Sequence, residues 1–360
     1  MTNFPVPSES LAPFPAVEAP DRYGIAIVGA GDIVTSAHLP AYQKMGYRVS
    51  GLFDIDQDRA QRAAADFGVP QVYRDLDALL SDDTVNVVDI AVPPWAQETM
   101  VEPIAHAGRH LLCQKPLAVQ AARGAQLVAT AEQAGVQLAV NVNMRWSPAI
   151  RTLKQLIDRD SFGQLTRVQL QINFWDTWET WPWLADVDEL LIRYDAIHLI
   201  DTLRYLFGEP ESVYGTASYL PNHTVRGETD VVLVYRYAAG FTAVIHDNAN
   251  NWAEDTAAEF RVEGSAGIAK GILGVWYDYP VGRADRVDFC TRSAPGQWAT
   301  FAPPGRWVPD AWAWTMAELF AAIDEDRAPI HNGGDHVRTL ELVEKTYQSV
   351  HTREEVGCEA

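Results

Sequence analysis

The chain has 360 residues, 48% of them hydrophobic, and its 28 Lys+Arg against 48 Asp+Glu leave a formal net charge of −20. Such a length suggests about two domains with a substantial core, and the charge argues against nucleic acid or an anionic membrane as the main partner. Three scattered cysteines (Cys113, Cys290, Cys358) speak against a disulfide framework or a zinc site; no apolar run is long enough to span a membrane, and no signal segment is seen, so a cytoplasmic setting is expected.

Residues 1–20, with prolines at 5, 7, 13, 15 and 20, read as an extended arm or a disordered tail. From Tyr23 the pattern becomes periodic. Apolar runs at 24–28, 47–53, 85–92, from His110 and at 136–142 read as buried strands. Between them lie helices through about Met45, at 56–67, 95–107 and 119–134, several closed by glycine. Strands alternating with helices of this length give a parallel sheet with right-handed crossovers. Near Asn143 the pattern changes. Ser147-Pro148 reads as an N-cap followed by proline at the first helical position, with the helix reaching about Asp160. Long strands follow at 165–174, 212–219, 230–237, 241–248, 257–263 and 286–290, with Ala238-Ala239-Gly240 as a hairpin turn. A helix over about 190–207 interrupts them, and helices over about 310–324 and 335–351 close the chain. Gly333-Gly334-Asp335 reads as a helix start. The fold class is α/β followed by α+β. Its parts are a proline-rich arm (1–20), a parallel-sheet domain (21–143), and a mostly antiparallel domain (144–360) whose last helices are free to pack back on the first.

Gly29-x-Gly31-x-x-Val34 follows a strand and opens a helix. Gly29 permits the tight turn, Gly31 lets the backbone approach a pyrophosphate, and the helix start at Asp32 and Ile33 offers unpaired N–H groups. Asp54 ends the second strand at the distance expected of a carboxylate that binds ribose hydroxyls. It would repel a 2′-phosphate, and no arginine directly follows it. NAD is therefore favoured over NADP. Val34 replaces the usual small third residue, which implies slightly wider helix packing. In His110-Leu-Leu-Cys113-Gln114-Lys115-Pro116, the proline ends the strand and leaves one amine at its carboxyl end. Ligands bind there in open parallel sheets. Cys113 belongs to the strand and reads as a buried, inert thiol.

Taken together, Gly29-Ala-Gly31, Ile90-Ala-Val92-Pro93-Pro94 and Gln114-Lys115-Pro116 resemble the glucose-fructose oxidoreductase / inositol dehydrogenase / MocA family, from Tyr23 to about His351. The resemblance implies a Rossmann domain with a doubly wound parallel sheet, then an open-faced sheet domain with helices on one face. It implies NAD(P)-dependent chemistry on sugars, cyclitols or related polyols. The family's Glu-Lys-Pro stands here as Gln114-Lys115-Pro116, and Lys115 is implied to contact both the nicotinamide ribose and the reacting hydroxyl. Gln114 removes a carboxylate from beside it. Val92, Pro93, Pro94, Gln97, Gln114 and Asn143 join Gly29, Gly31, Asp32, Ile33, Asp54 and Lys115 as candidate cofactor contacts. His198 matches the family's histidine on the central helix. The family's aspartate four residues before it is Tyr194 here, with Asp195 next to it. On a helix, residues three and four apart both face the same way as His198, so Tyr194 and Asp195 both stand as candidates.

Alcohol oxidation needs a base for the hydroxyl proton and a hydride acceptor. His198 is expected to take the proton while Lys115 orients the hydroxyl; the reverse assignment is left open. Arg145, Trp175, Trp178, His246 and Asn248 join Asp195 and His198 as candidate substrate ligands, since flat rings beside polar groups suit a sugar. No metal is expected. Two competing functions are a redox-neutral sugar lyase or glycosidase that retains NAD and a non-catalytic, NAD-loaded regulatory protein. The open sheet would need covering, so a homodimer or homotetramer is expected.

Overall fold

A computed structural model describes residues 19–358 apart from 222 and 254. Most of the proline-rich arm thus lies outside the described residues. The rest divides into two compact units, residues 19–143 with 308–341 and residues 144–307 with 342–358.

The first unit is built on β1 (Gly24–Val28), whose five residues are all buried. A π turn over Val34–His38 leads into α1 (Leu39–Met45). Then come β2 (Arg48–Phe53), α2 (Gln57–Phe67), α3 (Leu76–Leu80), β3 (Val87–Ile90), α4 (Pro94–His106), β4 (His110–Cys113), α5 (Ala121–Gln133) and β5 (Leu138–Val140). The strands form a parallel sheet in the order β2-β1-β3-β4-β5. The order reverses between β1 and β3, and that switch point is where such sheets bind ligands. Asp56 caps α2 by accepting the Arg59 N–H at 3.0 Å, and Asp75 caps α3 by accepting that of Ala78 at 2.7 Å. Sequence periodicity misses α3 because it is barely one turn. It misses the π turn too, since it reads the stretch from the glycine turn through about Met45 as one helix.

In the second unit, a single 3₁₀ turn (Asn143–Trp146) precedes α6 (Pro148–Asp158) and β6 (Leu165–Asn173). The expected central helix is two helices, α7 (Leu191–Tyr194) and α8 (Ile197–Phe207), broken at Asp195 and Ala196. Strands β7 (Ser212–Ser218), β8 (Asp230–Arg236), β9 (Thr242–Asn248), β10 (Ala257–Gly264), β11 (Gly267–Ile272), β12 (Arg286–Thr291) and β13 (Ala299–Phe301) follow. Helices α9 (Asp310–Asp324) and α10 (Gly333–Thr352) and the two-residue β14 (Val356–Gly357) end the chain. The nine-stranded sheet runs β13-β12-β11-β10-β6-β9-β8-β7-β14 and is antiparallel except where β6 meets β9. The division into units cuts α10 between residues 341 and 342. Helix α9 belongs with the parallel sheet and packs on α1; the Tyr47 hydroxyl donates to the Ala313 carbonyl at 3.1 Å.

One face of the large sheet is buried through alternate residues such as Val231, Leu233, Tyr235, Ala243 and Ile245. The Tyr235 hydroxyl lies 3.0 Å from Thr346 of α10. The other face leaves Tyr214 and Val232 exposed and holds a polar cleft lined by Gln169, Gln171, Arg261, Lys270 and Asp288.

Ser147 stands at the N-cap position of α6, but the cap works differently from the expected one. Its hydroxyl donates to Asp285 at 2.6 Å, and Asp285 accepts the Ala149 N–H at 2.9 Å. The other oxygen of Asp285 accepts the Gly274 N–H at 2.8 Å. Asp285→Ala leaves two buried N–H groups and a hydroxyl without an acceptor. It should cost about 3 kcal/mol, read as a lower urea midpoint of unfolding.

Candidate active site

The nucleotide turn follows from the way β1 ends. Gly29 has φ +102°, and a Cβ there would stand 2.4 Å from the Ala91 carbonyl oxygen. A side chain is thus excluded by conformation and by space. At Gly31 a Cβ would meet nothing within 4 Å, so this backbone faces open room. The first N–H groups of the helix that follows lie outside its own ladder. The Asp54 carboxylate is buried and oriented by two backbone donors, Ala30 N at 2.7 Å and Asp56 N at 2.8 Å. Each of its oxygens keeps a lone pair for a hydroxyl. These residues fit a dinucleotide: a glycine cradle with space above it and a fixed carboxylate one strand away. Arg59 is turned to Asp56, at 3.6 Å.

Lys115 is half-buried just beyond β4, and its peptide bond to Pro116 is cis. Gln97, fully buried on α4, holds this loop. Its carbonyl accepts the Gln114 N–H at 2.7 Å, and its amide donates to the carbonyls of Gln114, Pro116 and Leu117 at 2.9, 3.2 and 3.0 Å. This corrects the expectation that Gln97 touches the cofactor: it is fully buried and its amide is engaged with the lysine loop. Val92 and Pro93 lie in the turn after β3, and Pro94 starts α4. Asn143 is buried at the start of the 3₁₀ turn.

The Gln114 side chain leads into a buried chain of hydrogen bonds. Asp89, an acid in the middle of an apolar strand, accepts from the Tyr42 hydroxyl and from His38 Nδ1, each at 2.6 Å. His38 Nε2 is then the acceptor on that ring, and the Gln114 amide donates to it at 2.7 Å. Burial, then the Asp89 charge, pushes the Tyr42 hydroxyl far above its ordinary value, so it remains a donor. The π turn is the segment that carries His38. A carboxylate at position 114 would meet the imidazole lone pair, which accounts for glutamine here. Burial also pushes the Cys113 thiol far above its usual range, in keeping with an inert strand residue.

In the second unit, Glu228 fixes the corner that carries Asp195. It accepts the Leu190 and Ile192 N–H groups, each at 3.0 Å, and the Tyr347 hydroxyl at 2.6 Å. The break leaves Tyr194 and Asp195 at the end of α7 and His198 in the first turn of α8. Tyr194 packs edge-on against Trp183, at 5.3 Å between ring centroids. The Asp195 carboxyl turns to the fully buried Asp247 of β9, within hydrogen-bonding reach. The His198 ring meets Trp307 edge-on at 5.8 Å, and Trp307 meets Trp276 at 5.0 Å.

Three expected substrate ligands are placed differently. Arg145 is buried in a two-pronged ion pair with Asp201 of α8, at 2.6 and 2.7 Å, which ties the 3₁₀ turn to that helix. His246 and Asn248 flank Asp247 on β9 and so point to the opposite face of the sheet. There His246 bonds Asp230 at 3.0 Å and Asn248 bonds Asn173 at 3.3 Å. Trp178 is buried, packed on Phe174 and His223, whereas Trp175 keeps an exposed edge beside His223. Among the described residues, no cluster of three His, Cys, Asp or Glu could hold a metal, and no helix is long and apolar enough to cross a membrane.

Comparison with known proteins identifies the family and the fold. Residues 23–142 match the model of an oxidoreductase family with an NAD-binding Rossmann fold, and residues 150–270 match the GFO/IDH/MocA C-terminal domain. The chain belongs to the Gfo/Idh/MocA oxidoreductase family. Within that family it is 30% identical to D-apiose dehydrogenase of Paraburkholderia graminis, over 91% of this chain and 88% of the relative. It is 26% identical to D-xylose 1-dehydrogenase (NADP(+)) 2 of Haloferax volcanii, over 62% of this chain and 68% of that one. Levoglucosan dehydrogenase, solved with NADH and levoglucosan, shares the fold with a TM-score of 0.80 at 19% identity, over 94% of this chain and all of that chain. As a member of the family, the protein is an oxidoreductase with an NAD-binding domain.

The hydrogen-bond chain at Gln114 makes a pH-dependent prediction. In Gln114→Glu, only a doubly protonated His38 satisfies both Asp89 and the new carboxylate. The folded variant then binds a proton that the unfolded chain releases above about pH 6.5. Its stability relative to wild type should therefore fall as pH rises. Thermal melts at about pH 6 and about pH 9 measure the gap, and an equal gap at both would contradict this account.

Proposed function

We propose that this oxidoreductase is an NAD-dependent dehydrogenase acting on a hydroxyl of a sugar or closely related polyol. The observation that carries the reading is the clamped loop at the end of β4, where Gln97 fixes Lys115. The named activities of the D-apiose and D-xylose relatives support a carbohydrate substrate. Asp54, already oriented by Ala30 and Asp56, supports NAD over NADP, because a carboxylate there repels a 2′-phosphate.

Gly29, Gly31, Asp32 and Ile33 would hold the pyrophosphate, Asp54 the adenosine ribose, and Val92, Pro93 and Pro94 the nicotinamide side. When bound, NAD supplies the hydride acceptor for the alcohol carbon. Lys115, held by its loop, orients the reacting hydroxyl and lowers the cost of negative charge on its oxygen. His198 takes the hydroxyl proton, its ring steadied by Trp307. Asp195, three residues before it in sequence, is the second polar group of this corner, and Trp175 offers an exposed ring to an apolar sugar face. The reading extends to a cytoplasmic protein that assembles as a homodimer or homotetramer through the open sheet face, where Tyr214 and Val232 stand exposed.

The test is NADH absorbance across a panel including D-apiose, D-xylose and levoglucosan. One or more should reduce NAD. With that substrate, Lys115→Met and His198→Asn should each lower kcat by about 100-fold or more, while tryptophan-fluorescence titration shows NAD still bound. Near-full turnover in both variants would sink the assignment.

A further inference from the structure

Asp247 lies on the helix-covered face of β9, with no solvent exposure. Among the described residues, neither of its carboxyl oxygens meets an N–H or O–H donor. Its strand neighbours in register are Val231 and Ile172, which offer no side-chain donor. What does approach is a second acid, Asp195, from the corner between α7 and α8. Two carboxylates at hydrogen-bond distance repel unless a proton lies between them. A third acid, Asp230 on the adjacent strand, adds to the repulsion. Asp230 is held by His246 at 3.0 Å and Ser218 at 2.8 Å, and those bonds keep its own carboxyl below the ordinary range.

We infer that Asp247 is a positioning residue that shares one proton with Asp195, so that the pair carries a single negative charge at neutral pH. Among the described residues, the shared proton is the only hydrogen bond offered to the Asp247 side chain. It also fixes the Asp195 carboxyl at the helix break, three residues before His198. The surroundings agree: burial first, then the neighbouring acids, drives the Asp247 carboxyl well above the ordinary carboxylate range. That Asp195 is thereby positioned for alcohol oxidation rests on the reading proposed above. The shared proton itself does not.

The sign of the linkage is definite. The folded chain keeps a proton that the unfolded chain gives up above about pH 4, so wild-type stability falls as pH rises from there through the folded titration. Asp247→Asn places an amide donor against Asp195 and removes that dependence. The variant should melt about 3 °C above wild type near pH 8 and level with it near pH 5. Infrared difference spectra at about pH 7, wild type minus Asp247→Asn, should show one protonated-carboxyl carbonyl band that shifts in D₂O. No such band, with a melting difference independent of pH, overturns the shared proton. For positioning, Asp247→Asn should keep kcat within about threefold, while Asp247→Leu, which offers Asp195 no donor, should lose about 10- to 100-fold in kcat with KM little changed. Equal kcat in the Asn and Leu variants overturns the positioning role. If no sugar yields NADH, the spectra and melts still decide the proton, and only the catalytic reading fails.

Discussion

A single buried amide decides where the lysine stands. Gln97 bonds the N–H of Gln114 and the carbonyls of Gln114, Pro116 and Leu117, so the backbone on both sides of Lys115 is tied to α4. A loop after a parallel strand would otherwise be free to choose among several paths, at about 1–2 kcal/mol of backbone entropy per residue. The lysine thereby inherits the rigidity of the sheet. The same loop is held from the other side through the Gln114 side chain, His38 and Asp89. Because Asp89 fixes which imidazole nitrogen carries the proton, the residue before the lysine must be a donor. The glutamine at 114, which read as the loss of a carboxylate, is the residue this histidine requires.

How much was legible in the chain depended on the range of the interactions. Gly29, Gly31, Asp54 and Lys115 announce themselves locally, by a turn, a strand end and a proline. The clamp and the relay do not: His38 and Asp89 are 51 residues apart, and Ser147 and Asp285 are 138 apart. A hint existed in Val87-Val-Asp89-Ile90, where an acid interrupts an all-buried strand, but nothing local says that a histidine answers it. The break at Asp195 leaves no local mark either, and the partner of that residue, Asp247, comes from a strand about 50 residues on. His246 and Asn248 are a different matter. The period of two along β9 already puts them on the face away from Asp247, and reading the strand end as one cluster overlooked it.

The second unit uses buried charge in contrasting ways. Asp285 and Glu228 are surrounded by donors and act as fixed anchors for backbone. Arg145 and Asp201 neutralise each other in a two-pronged pair. Asp247 has neither solution and must retain a proton. Groups left with such an unfinished arrangement are where function is expected, because a merely structural position would favour an apolar residue of the same size.

The edges of the nine-stranded sheet have a consequence for assembly. One end is β13, three residues long, and the other is β14, two residues long. Strands this short offer little free backbone of their own to template another strand. Behind β14, however, β7 runs on from Tyr214 to Ser218 with no strand paired to it on that side among the described residues. This sheet is closed to extension at its β13 tip and less so along β7.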